Sequence, residues 1–400
     1  MHPLLESIQI HQRESATEMK DAIEERGLLV KYDDEYKKLI VKYPDTMRHS
    51  TDDVIRKSRG IIIDIATKRI VCPSLEGAIS FDEFKRVVPW SDVVIERSID
   101  GTMYNVYNDD GVWRMATKFH LHPENNHYRS EKSFAELFSD AVPFDQLCDS
   151  LDKECSYVFL LCHPENRNVT QFTEPLLYLI ETAHVKTGER IFSRLSVNGK
   201  QIPMCDVLQY CGRPIKISQD SVIQSYDGIA DYIDTMHWSQ RGLMLYSKDR
   251  QYRCHIINPR FENVRAYVSG NSSFEFICLK KIKNEIDDEQ WSHMMNYYPE
   301  LDKAMIRTLG GYNAFAKAIH EMYVRMRIRH ENVDVPKEWR ILLYSIHKDY
   351  LRFRHGELSE QGVVLPPNPA FSVTVEYVTH KLLSYDTKLI YSWIKTFFGK

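Results

Sequence analysis

A short polar stretch, ERSIDGT at residues 96–102, brings together three residue types that chemistry could use. Ser98 offers a hydroxyl nucleophile, Asp100 a carboxylate, and Gly101 a position where the backbone can turn tightly or approach a ligand. A serine hydroxyl attacks efficiently only when a neighbouring base takes its proton, and this stretch contains no histidine. The flanking β-branched and aromatic residues predict a strand, a turn at residues 100–102 and a second strand.

A second stretch, KFHLHPENNHYRS at residues 118–130, mixes histidines with aromatic side chains. His120 and His122 would share one face of a strand, which is how two histidines can hold a metal ion. No acid or cysteine is placed to complete that set, so we predict no metal site. An RNA-contacting loop is the favoured interpretation, because aromatic rings stack on bases and imidazoles reach phosphates. The other members of the group are Phe119, His127 and Tyr128.

Residues 321–355 carry the densest group of basic side chains, interleaved with tyrosine and tryptophan. Such cations attract nucleic-acid phosphates with a strength that depends on salt. Helical spacing predicts that Arg325 lies one turn from Arg329. Lys348 has the same spacing from Arg352. The side chains predicted to contact RNA are Arg325, Arg329, Arg340, Lys348 and Arg352. The alternative is a solvated helix face whose cations pair with nearby acids. The acids available for such pairs are Glu321, Glu331, Glu338 and Asp349.

The bulk composition favours a soluble, cytoplasmic protein with local polyanion contacts. The chain has 400 residues, 43% of them hydrophobic, and a formal net charge of −4. A generally basic nucleic-acid coat is therefore excluded, and any polyanion must meet a local patch. Eight cysteines without metal-ligand spacing indicate reduced, mostly buried thiols. The charged start is unlike a signal peptide, and no apolar run is long enough for a membrane span.

The pattern of short apolar runs predicts an α+β protein with two domains. From about residue 28 to 265 the runs are β-branched and aromatic, and turn formers such as NDDG and KTGE separate them. Helical segments interrupt this region at 131–153 and 217–236, and residues 1–26 also look helical. After about residue 270 the pattern is helical to the end, with Asp334 as a predicted helix cap. We therefore predict an antiparallel-sheet domain over residues 1–265 and an all-α domain over residues 266–400.

The order of segments in the first domain resembles the ATP-dependent RNA ligases of the phage type. These belong with DNA ligases and mRNA capping enzymes to the covalent nucleotidyltransferases. Single matches of this kind are weak, but five in the same order and spacing are fairly specific. The matching segments, in chain order, are SRGIIID with RIVCP, ERSIDGT, YVFLLCHPENRNVT, LLYLIETAHVKTGERI and RGLMLYSKDRQYRCHIINPRF. The resemblance implies an antiparallel ligase-like domain with a nucleotide cleft and a helical C-terminal appendage.

The chain departs from this family where the family's chemistry is performed. The family attaches a nucleotide to a lysine amine, and Ser98 stands at that lysine's position. Leu160 replaces a metal-binding glutamate, and Arg241 replaces the acid of a Glu-Gly pair. The two lysines of the last strand fall on His255 and Ile257, or on Cys254 and Ile256 if the alignment shifts by one. The resemblance therefore predicts that catalysis is lost and that no metal or cofactor is required.

Other positions keep residue types that could line the nucleotide cleft. Arg59 and Lys118 would contact phosphate or ribose. Each position also has a structural explanation: Gly101 could serve a turn, Asp100 could cap it, and Arg167 could pair with a surface acid. The residues predicted to bind nucleotide are Arg59, Ser98, Asp100, Gly101, Lys118, Asn166, Arg167, Arg241 and His255.

These observations predict an RNA-binding pseudoenzyme that holds an RNA 5′ end or a nucleotide without covalent catalysis. A capped mRNA end is one form of that ligand, and a role in mRNA translation or processing would then follow. One alternative is an active ligase with Lys118 or Lys85 as an unorthodox nucleophile. Another is a scaffold that docks protein partners through its helical domain. None of these functions requires a membrane.

Overall fold

The computed structural model of the chain divides into two compact units, Met1–Ala266 and Tyr267–Lys400. Strands and helices of the first unit alternate, whereas the second unit is mainly helical. The fold is therefore α+β with antiparallel sheets and a helical C-terminal region, as predicted. The structure describes residues 2–124, 130, 132–191, 194–197, 200–203, 216–217, 223–268, 273–358, 364–365 and 367–399.

Short strands account for most of the first unit. They are β1 (Leu29–Asp33), β2 (Lys38–Lys42), β3 (Arg59–Asp64), β4 (Arg69–Cys72), β5 (Val93–Ser98), β6 (Thr102–Asp109), β7 (Val112–Thr117), β8 (Cys155–Cys162), β9 (Leu176–His184), β10 (Arg190–Ile191), β11 (Arg194–Val197), β12 (Lys200–Pro203), β13 (Lys216–Ile217), β14 (Gly242–Ser247) and β15 (Arg253–Ile257). The helices among them are α1 (Pro3–Ser7), α2 (Ala16–Glu24), α3 (Asp53–Arg56), α4 (Phe81–Val87), α5 (Phe134–Ala141), α6 (Phe144–Asp149), α7 (Tyr226–Thr235) and α8 (Pro259–Tyr267).

Three antiparallel sheets, each with its own apolar core, contain most of these strands, and β11 pairs with β12 in a separate two-stranded sheet. The first has the order β1-β2-β3-β4, and α1 and α2 cover one of its faces. The second has the order β10-β9-β8-β6-β7 and packs against α5 and α6. The third has the order β13-β5-β14-β15 and packs against α4 and α7. Because side chains alternate along a strand, each sheet buries one set of residues and presents the other set away from its core.

The second unit is a group of helices around one aromatic-rich core. Its long helix places Tyr312, Phe315 and Tyr323 in contact with residues of the last three helices, including Trp393. The helices are α9 (Phe274–Ile282), α10 (Asp288–Tyr297), α11 (Glu300–Arg327), α12 (Arg340–His355), α13 (Val375–Leu382) and α14 (Thr387–Phe397). A two-stranded ladder, β16 (Glu357–Leu358) with β17 (Val364–Leu365), follows α12.

Two helix boundaries differ from the prediction. α11 ends at Arg327, so Arg329 lies beyond the helix and not one helical turn from Arg325. His330 has φ +57°, a left-handed conformation that cannot continue a helix. Asp334 does not cap α12, because a 3-10 turn at Lys337–Trp339 comes first and has no side-chain cap. Lys348 and Arg352 both lie within α12, one turn apart as predicted.

The described part of the chain contains no helix that is long and apolar enough to cross a membrane. The six cysteines in this part are buried free thiols.

Candidate functional site

The third sheet of the first unit has one apolar face and one polar face. Ile95, Leu243 and Cys254 point towards α4 and α7 in the core. Successive side chains of a strand alternate between the two faces of the sheet. Ser98, three residues after Ile95, and His255, the residue after Cys254, therefore lie on the opposite face. Alternation therefore places Ser98, His255 and Arg253 on one surface of the sheet.

Ser98 and His255 form a hydrogen bond, although 157 residues separate them in sequence. Ser98 Oγ lies 2.8 Å from His255 Nε2. Gly242 on the central strand β14 is paired with Ser98 and has φ +137°. A side chain at Gly242 would clash with the backbone of β15, since its Cβ would lie 2.1 Å from the Ile256 carbonyl oxygen. Gly242 therefore lets β14 and β15 approach closely at the end of the sheet where Ser98 lies.

The stretch ERSIDGT itself contains no histidine, but the fold brings His255 next to Ser98, and this partner is a weak base. Burial, and then the nearby Arg241 and Arg253 guanidinium groups, hold the pKa of His255 well below its usual range. At neutral pH the ring is uncharged and can accept or donate one hydrogen bond. Protonating it would place another cation among arginines, so His255 is poorly suited to take the proton of a serine hydroxyl.

Two arginines on this side of the first unit have buried nitrogen atoms without acceptors. Arg59 Nη1 has no hydrogen-bond partner in the described part of the chain, and the same holds for Arg253 Nε and Nη1. Burial, and then the charge of Arg253, lower the pKa of Arg59 to about 10. Buried donors usually find a partner, because an unpaired one costs about 1–3 kcal/mol and more when it is charged. The arrangement is that of a site for an anion.

Lys118 extends this group of cations at the end of β7. Burial, and then the charge of Arg59, lower the pKa of its ammonium to about 8. Its Nζ lies 5.7 Å from the centre of the Tyr43 ring, a cation–π distance. Arg48 also lowers the pKa of Lys118, and it lies in the loop at residues 45–50 that lines a cavity of about 740 Å³. We call Arg59, Lys118, Arg241, Arg253 and His255 the cationic pocket.

Asp100, predicted to bind nucleotide, is occupied by the protein itself. Its carboxylate accepts hydrogen bonds from the backbone N–H groups of Val169 at 2.9 Å and Thr170 at 3.0 Å. The Asn168 side-chain amide donates a third bond at 3.2 Å. Asp100 is buried, so these bonds tie the turn after β5 to the loop after β8. Asp100 therefore has a structural role in the turn.

Gly101 is also explained by close packing. A Cβ atom there would lie 2.5 Å from the Leu161 carbonyl oxygen and 3.2 Å from Leu160 Cγ. Leu160 is buried and presents an aliphatic side chain beside this turn. Gly101 therefore lets the turn approach β8. The aliphatic side chain of Leu160 lies next to the turn at this point.

Three further predicted residues support the turn or border the pocket. Asn166 Nδ2 donates to Thr102 Oγ1 at 2.7 Å, and its Oδ1 is buried without a partner among the described residues. The Arg167 side chain is buried, and its Nε donates to the Val169 carbonyl at 3.0 Å. Arg241 donates to the Ile99 carbonyl at 3.2 Å, and its charge contributes to the lowered pKa of His255.

The basic residues predicted to contact RNA in the second unit have mixed surroundings. Arg325 pairs with Glu331 at 2.5 Å and Arg329 with Glu321 at 3.1 Å, as the solvated-face alternative expected. Arg340 is exposed and donates to the Val335 carbonyl at 3.3 Å. Lys348 is exposed, and Arg352 is half-buried on the same helix. RNA contact by these residues remains a prediction.

The predicted histidine stretch does not form a strand. β7 ends at Thr117, and His120 and His122 lie in the following loop. His122 Nε2 lies 2.5 Å from an Asp33 carboxylate oxygen, and His120 Nε2 lies 3.4 Å from Lys31 Nζ. Within the described ranges, no three His, Cys, Asp or Glu side chains are grouped to hold a metal. His127 and Tyr128 lie outside the described residues.

Sequence reasoning missed Arg253, which supplies two of the buried donor atoms. The strand alternation that placed His255 in the pocket also applies to Arg253, two residues earlier on β15. Glu181 was missed as well. It is buried on β9 and pairs with Arg190, and burial raises the pKa of its carboxyl.

Comparison with known proteins finds one sequence relative and several solved structures. The relative is a protein of Autographa californica nuclear polyhedrosis virus whose name describes a bifunctional polynucleotide kinase/RNA ligase. It is 22% identical over 274 residues, and the match covers 64% of this chain and 37% of the viral protein. The chain thus corresponds to little more than a third of that protein's length. No family model matches the sequence.

The solved structures with similar folds include an archaeal ATP-dependent RNA ligase and an RNA ligase of Naegleria gruberi with pyrophosphate. The archaeal structure is 9% identical, with a TM-score of 0.40, and the match covers 75% of this chain and 80% of that one. The Naegleria structure is 10% identical, with a TM-score of 0.31, and covers 43% of this chain and 50% of that one. The viral sequence relative agrees with the resemblance drawn from the ordered motifs, because the name of that protein also describes an RNA ligase.

Proposed function

We propose that the cationic pocket binds the phosphates of an RNA 5′ end or a nucleotide, and that it does so without covalent transfer. The observation that carries this proposal is the set of buried donor atoms on Arg59 and Arg253 that have no acceptor among the described residues. A phosphate group supplies several acceptor oxygens and negative charge, and planar guanidinium groups match its geometry. A bound phosphate would satisfy these donors and relieve the repulsion between the two arginines.

The charges around the pocket support an anionic ligand over a neutral one. Arg59, Arg241 and Lys118 each have a pKa that burial lowers, so each cation loses hydration in the free protein. Asp100, whose charge acts on Arg241, is already bound by three N–H groups. An incoming phosphate therefore meets donors that are already in place and partly desolvated, which strengthens electrostatic attraction.

Three features support binding without transfer. A nucleotidyltransferase of this kind needs an amine, and Ser98 has a hydroxyl bonded to a weakly basic imidazole. Leu160 presents an aliphatic side chain beside the turn, where a carboxylate would be needed to hold a metal ion. Arg241 adds a cation where the resemblance implies an acid. Together these features favour a pocket that holds an anion but does not activate it.

The aromatic residues next to the pocket favour a phosphorylated end over a capped one. Recognition of a methylated, positively charged base uses open aromatic faces. Tyr246 has the Arg250 guanidinium 4.0 Å from its ring centre, and Tyr43 has Lys118 at 5.7 Å. Both tyrosines are buried. Their rings already face cations of the protein, so we rank a capped end, with its implied role in translation or processing, below a 5′-triphosphate.

One observation favours a second function, an enzyme that uses Lys118 as its nucleophile. An amine reacts when its pKa approaches neutrality, and that of Lys118 is lowered to about 8. The other proposed nucleophile, Lys85, is exposed on α4 with its Nζ 5.1 Å from the Phe81 ring centre. We prefer the non-covalent function, because the cations around Lys118 serve a bound phosphate whether or not the amine attacks.

Fluorescence-anisotropy titration against one short RNA with different 5′ ends tests the binding function. The four ends are triphosphate, monophosphate, hydroxyl and cap. We expect the triphosphate RNA to bind at least about tenfold more tightly than the hydroxyl RNA, since one or more charged hydrogen bonds of about 1.5–3 kcal/mol distinguish them. Equal affinity for all four would contradict the proposal and favour a scaffold. Tightest binding of the capped RNA would contradict the ranking of ligands.

The low pKa of Lys118 predicts that phosphate affinity depends on pH. The ammonium is charged below about pH 8 and neutral above it, whereas a bound phosphate raises its pKa. Affinity for ATP should therefore be constant from pH 7 to 8 and then fall by up to about tenfold per pH unit. The phosphates of ATP are already ionised at these pH values, since their last pKa is about 6. Calorimetric titrations across this range measure the effect.

Lys118→Arg is the matched control for this pH dependence. An arginine side chain stays protonated over the whole range, so its affinity for ATP should not fall above pH 8. A parallel decline in the wild-type protein and in Lys118→Arg would assign the effect to another group.

A further inference from the structure

Two lysines, an aromatic ring and a histidine form a cluster at the surface, in which Lys31 and His120 are exposed and Lys42 and Phe119 are half-buried. Lys31 Nζ lies 4.4 Å from the centre of the Phe119 ring, and Lys42 Nζ lies 4.5 Å from it. His120 Nε2 lies 3.4 Å from Lys31 Nζ. We call Lys31, Lys42, Phe119 and His120 the Phe119 patch.

Strand pairing explains why these side chains meet. Lys31 is on β1 and Lys42 on β2, and Lys42 is paired with Leu29, two residues before Lys31. The two lysines therefore project from the same face of the first sheet on neighbouring strands. Phe119 follows β7 and packs against the apolar cluster between the first and second sheets. Its ring holds both ammonium groups by cation–π attraction, which restrains two otherwise flexible chains.

The positive charge of the patch has no compensation within the described ranges. No carboxylate there lies within 4.0 Å of Lys31 Nζ or Lys42 Nζ. Burial and the charge of Lys42 lower the pKa of Lys31, and burial followed by Lys31 and Lys42 lowers that of His120. Cations brought together in this way repel one another unless an anion joins them. The whole protein has a net charge of −4, so this positive charge is a local feature of the patch.

The patch is continuous with the cationic pocket. Phe119 is the residue after Lys118, so their Cα atoms are about 3.8 Å apart. The charge of Lys42 also contributes to the lowered pKa of Lys118, so Lys42 lies within electrostatic range of the pocket. A nucleic-acid strand whose first phosphates lie in the pocket would contact this patch with its next phosphates.

We propose that the Phe119 patch binds the phosphodiester backbone of a single RNA strand just downstream of the 5′ end held in the cationic pocket. The inference rests on the proposed function, because the pocket fixes where the strand begins. Lys31 and Lys42 bind successive phosphates, and Phe119 is a positioning residue that keeps the two ammonium groups apart from acids and close together. The contact is with the backbone, so it is independent of base sequence.

The number of ions released on binding measures this contact. For single strands the slope of log affinity against log salt is about −0.7 per neutralised phosphate. Replacing Lys31 and Lys42 together by glutamine should reduce the slope by about 1.4 for an eight-nucleotide 5′-triphosphate RNA. Between 50 and 200 mM salt the affinity ratio of wild type to variant should then shrink by about sevenfold. For ATP, which ends in the pocket, the slope should not change, because no direct phosphate contact is lost.

Two control variants make the result specific. Lys31→Arg with Lys42→Arg keeps both charges and should keep the wild-type slope. Lys153→Gln with Lys186→Gln removes the same charge at exposed positions outside the patch and should leave the slope unchanged. Glutamine retains most of the side-chain length, and the lysines are at least partly exposed, so thermal unfolding of all variants should match the wild type.

The outcomes separate this inference from the proposed function. If ATP and triphosphate RNA bind but the glutamine variant keeps the wild-type slope, the patch does not contact RNA and the pocket proposal stands. If neither ATP nor triphosphate RNA binds, the pocket proposal fails and the patch loses its basis. Equal loss of affinity for polyglutamate and for RNA in the glutamine variant would overturn the assignment to RNA.

Discussion

Replacing Arg59 by alanine should weaken the binding of a 5′-triphosphate RNA by about 30- to 150-fold. The expectation follows from about 2–3 kcal/mol for charge-assisted hydrogen bonds made by a buried guanidinium. Arg59 Nη1 is buried and has no hydrogen-bond acceptor in the described part of the chain, so it is available to donate to a bound phosphate. Calorimetric titration with the RNA, at fixed salt, measures the change.

The same substitution should leave the free energy of unfolding unchanged or raise it. The charge of Arg253 disfavours the protonated Arg59, and its buried Nη1 lacks a partner, so both terms cost stability in the free protein. Binding residues often carry such a cost. Urea unfolding of the wild type and Arg59→Ala tests this expectation.

Arg250 provides the matched comparison for stability. Most of its side chain is buried in the same unit, and its guanidinium pairs with Glu96 at 2.5 Å. Arg250→Ala would leave the Glu96 carboxylate without this partner and should cost about 3–5 kcal/mol of unfolding free energy. If Arg59→Ala instead destabilises the protein as much as Arg250→Ala does, Arg59 is a structural residue and the pocket loses its main support.

The strands and the polar face of the pocket follow from local sequence patterns. Alternating apolar residues in GLMLYS and YRCHII predict β14 and β15, and the structure has both. Alternation also predicts which residues share the face with His255. The pairing of Ser98 with His255 could not be predicted, because it depends on β14 lying between β5 and β15.

The directions in which the side chains of the turn residues point could not be predicted from the sequence either. Asp100 has the same local sequence whether its carboxylate faces a ligand or the protein. Its actual partners, the N–H groups of Val169 and Thr170, come from a loop about 70 residues away. Arg167 likewise turns inward to a backbone carbonyl. For such residues the tertiary fold decides between a binding role and a structural one.

Incubation with ATP or GTP and Mg²⁺ should give no covalent nucleotide adduct. Attack by Ser98 Oγ on the α-phosphorus would require its proton to move to His255 Nε2. The pKa of that imidazole is held well below its usual range by burial and by Arg241 and Arg253. Proton transfer to such a weak base is unfavourable, so the rate should fall below detection. Ser98→Ala should behave as the wild type does, and Lys118→Ala should lose affinity but have no covalent activity to lose.

The most direct test combines the two halves of the claim on one sample of the wild-type protein. The protein is mixed with α-³²P-labelled ATP or GTP and Mg²⁺, retained on a filter under native conditions, and then denatured and separated on a gel. We predict label retained on the native filter and no labelled protein band after denaturation. A labelled band that survives denaturation would contradict binding without transfer, and its loss in Lys118→Ala or Ser98→Ala would identify the nucleophile.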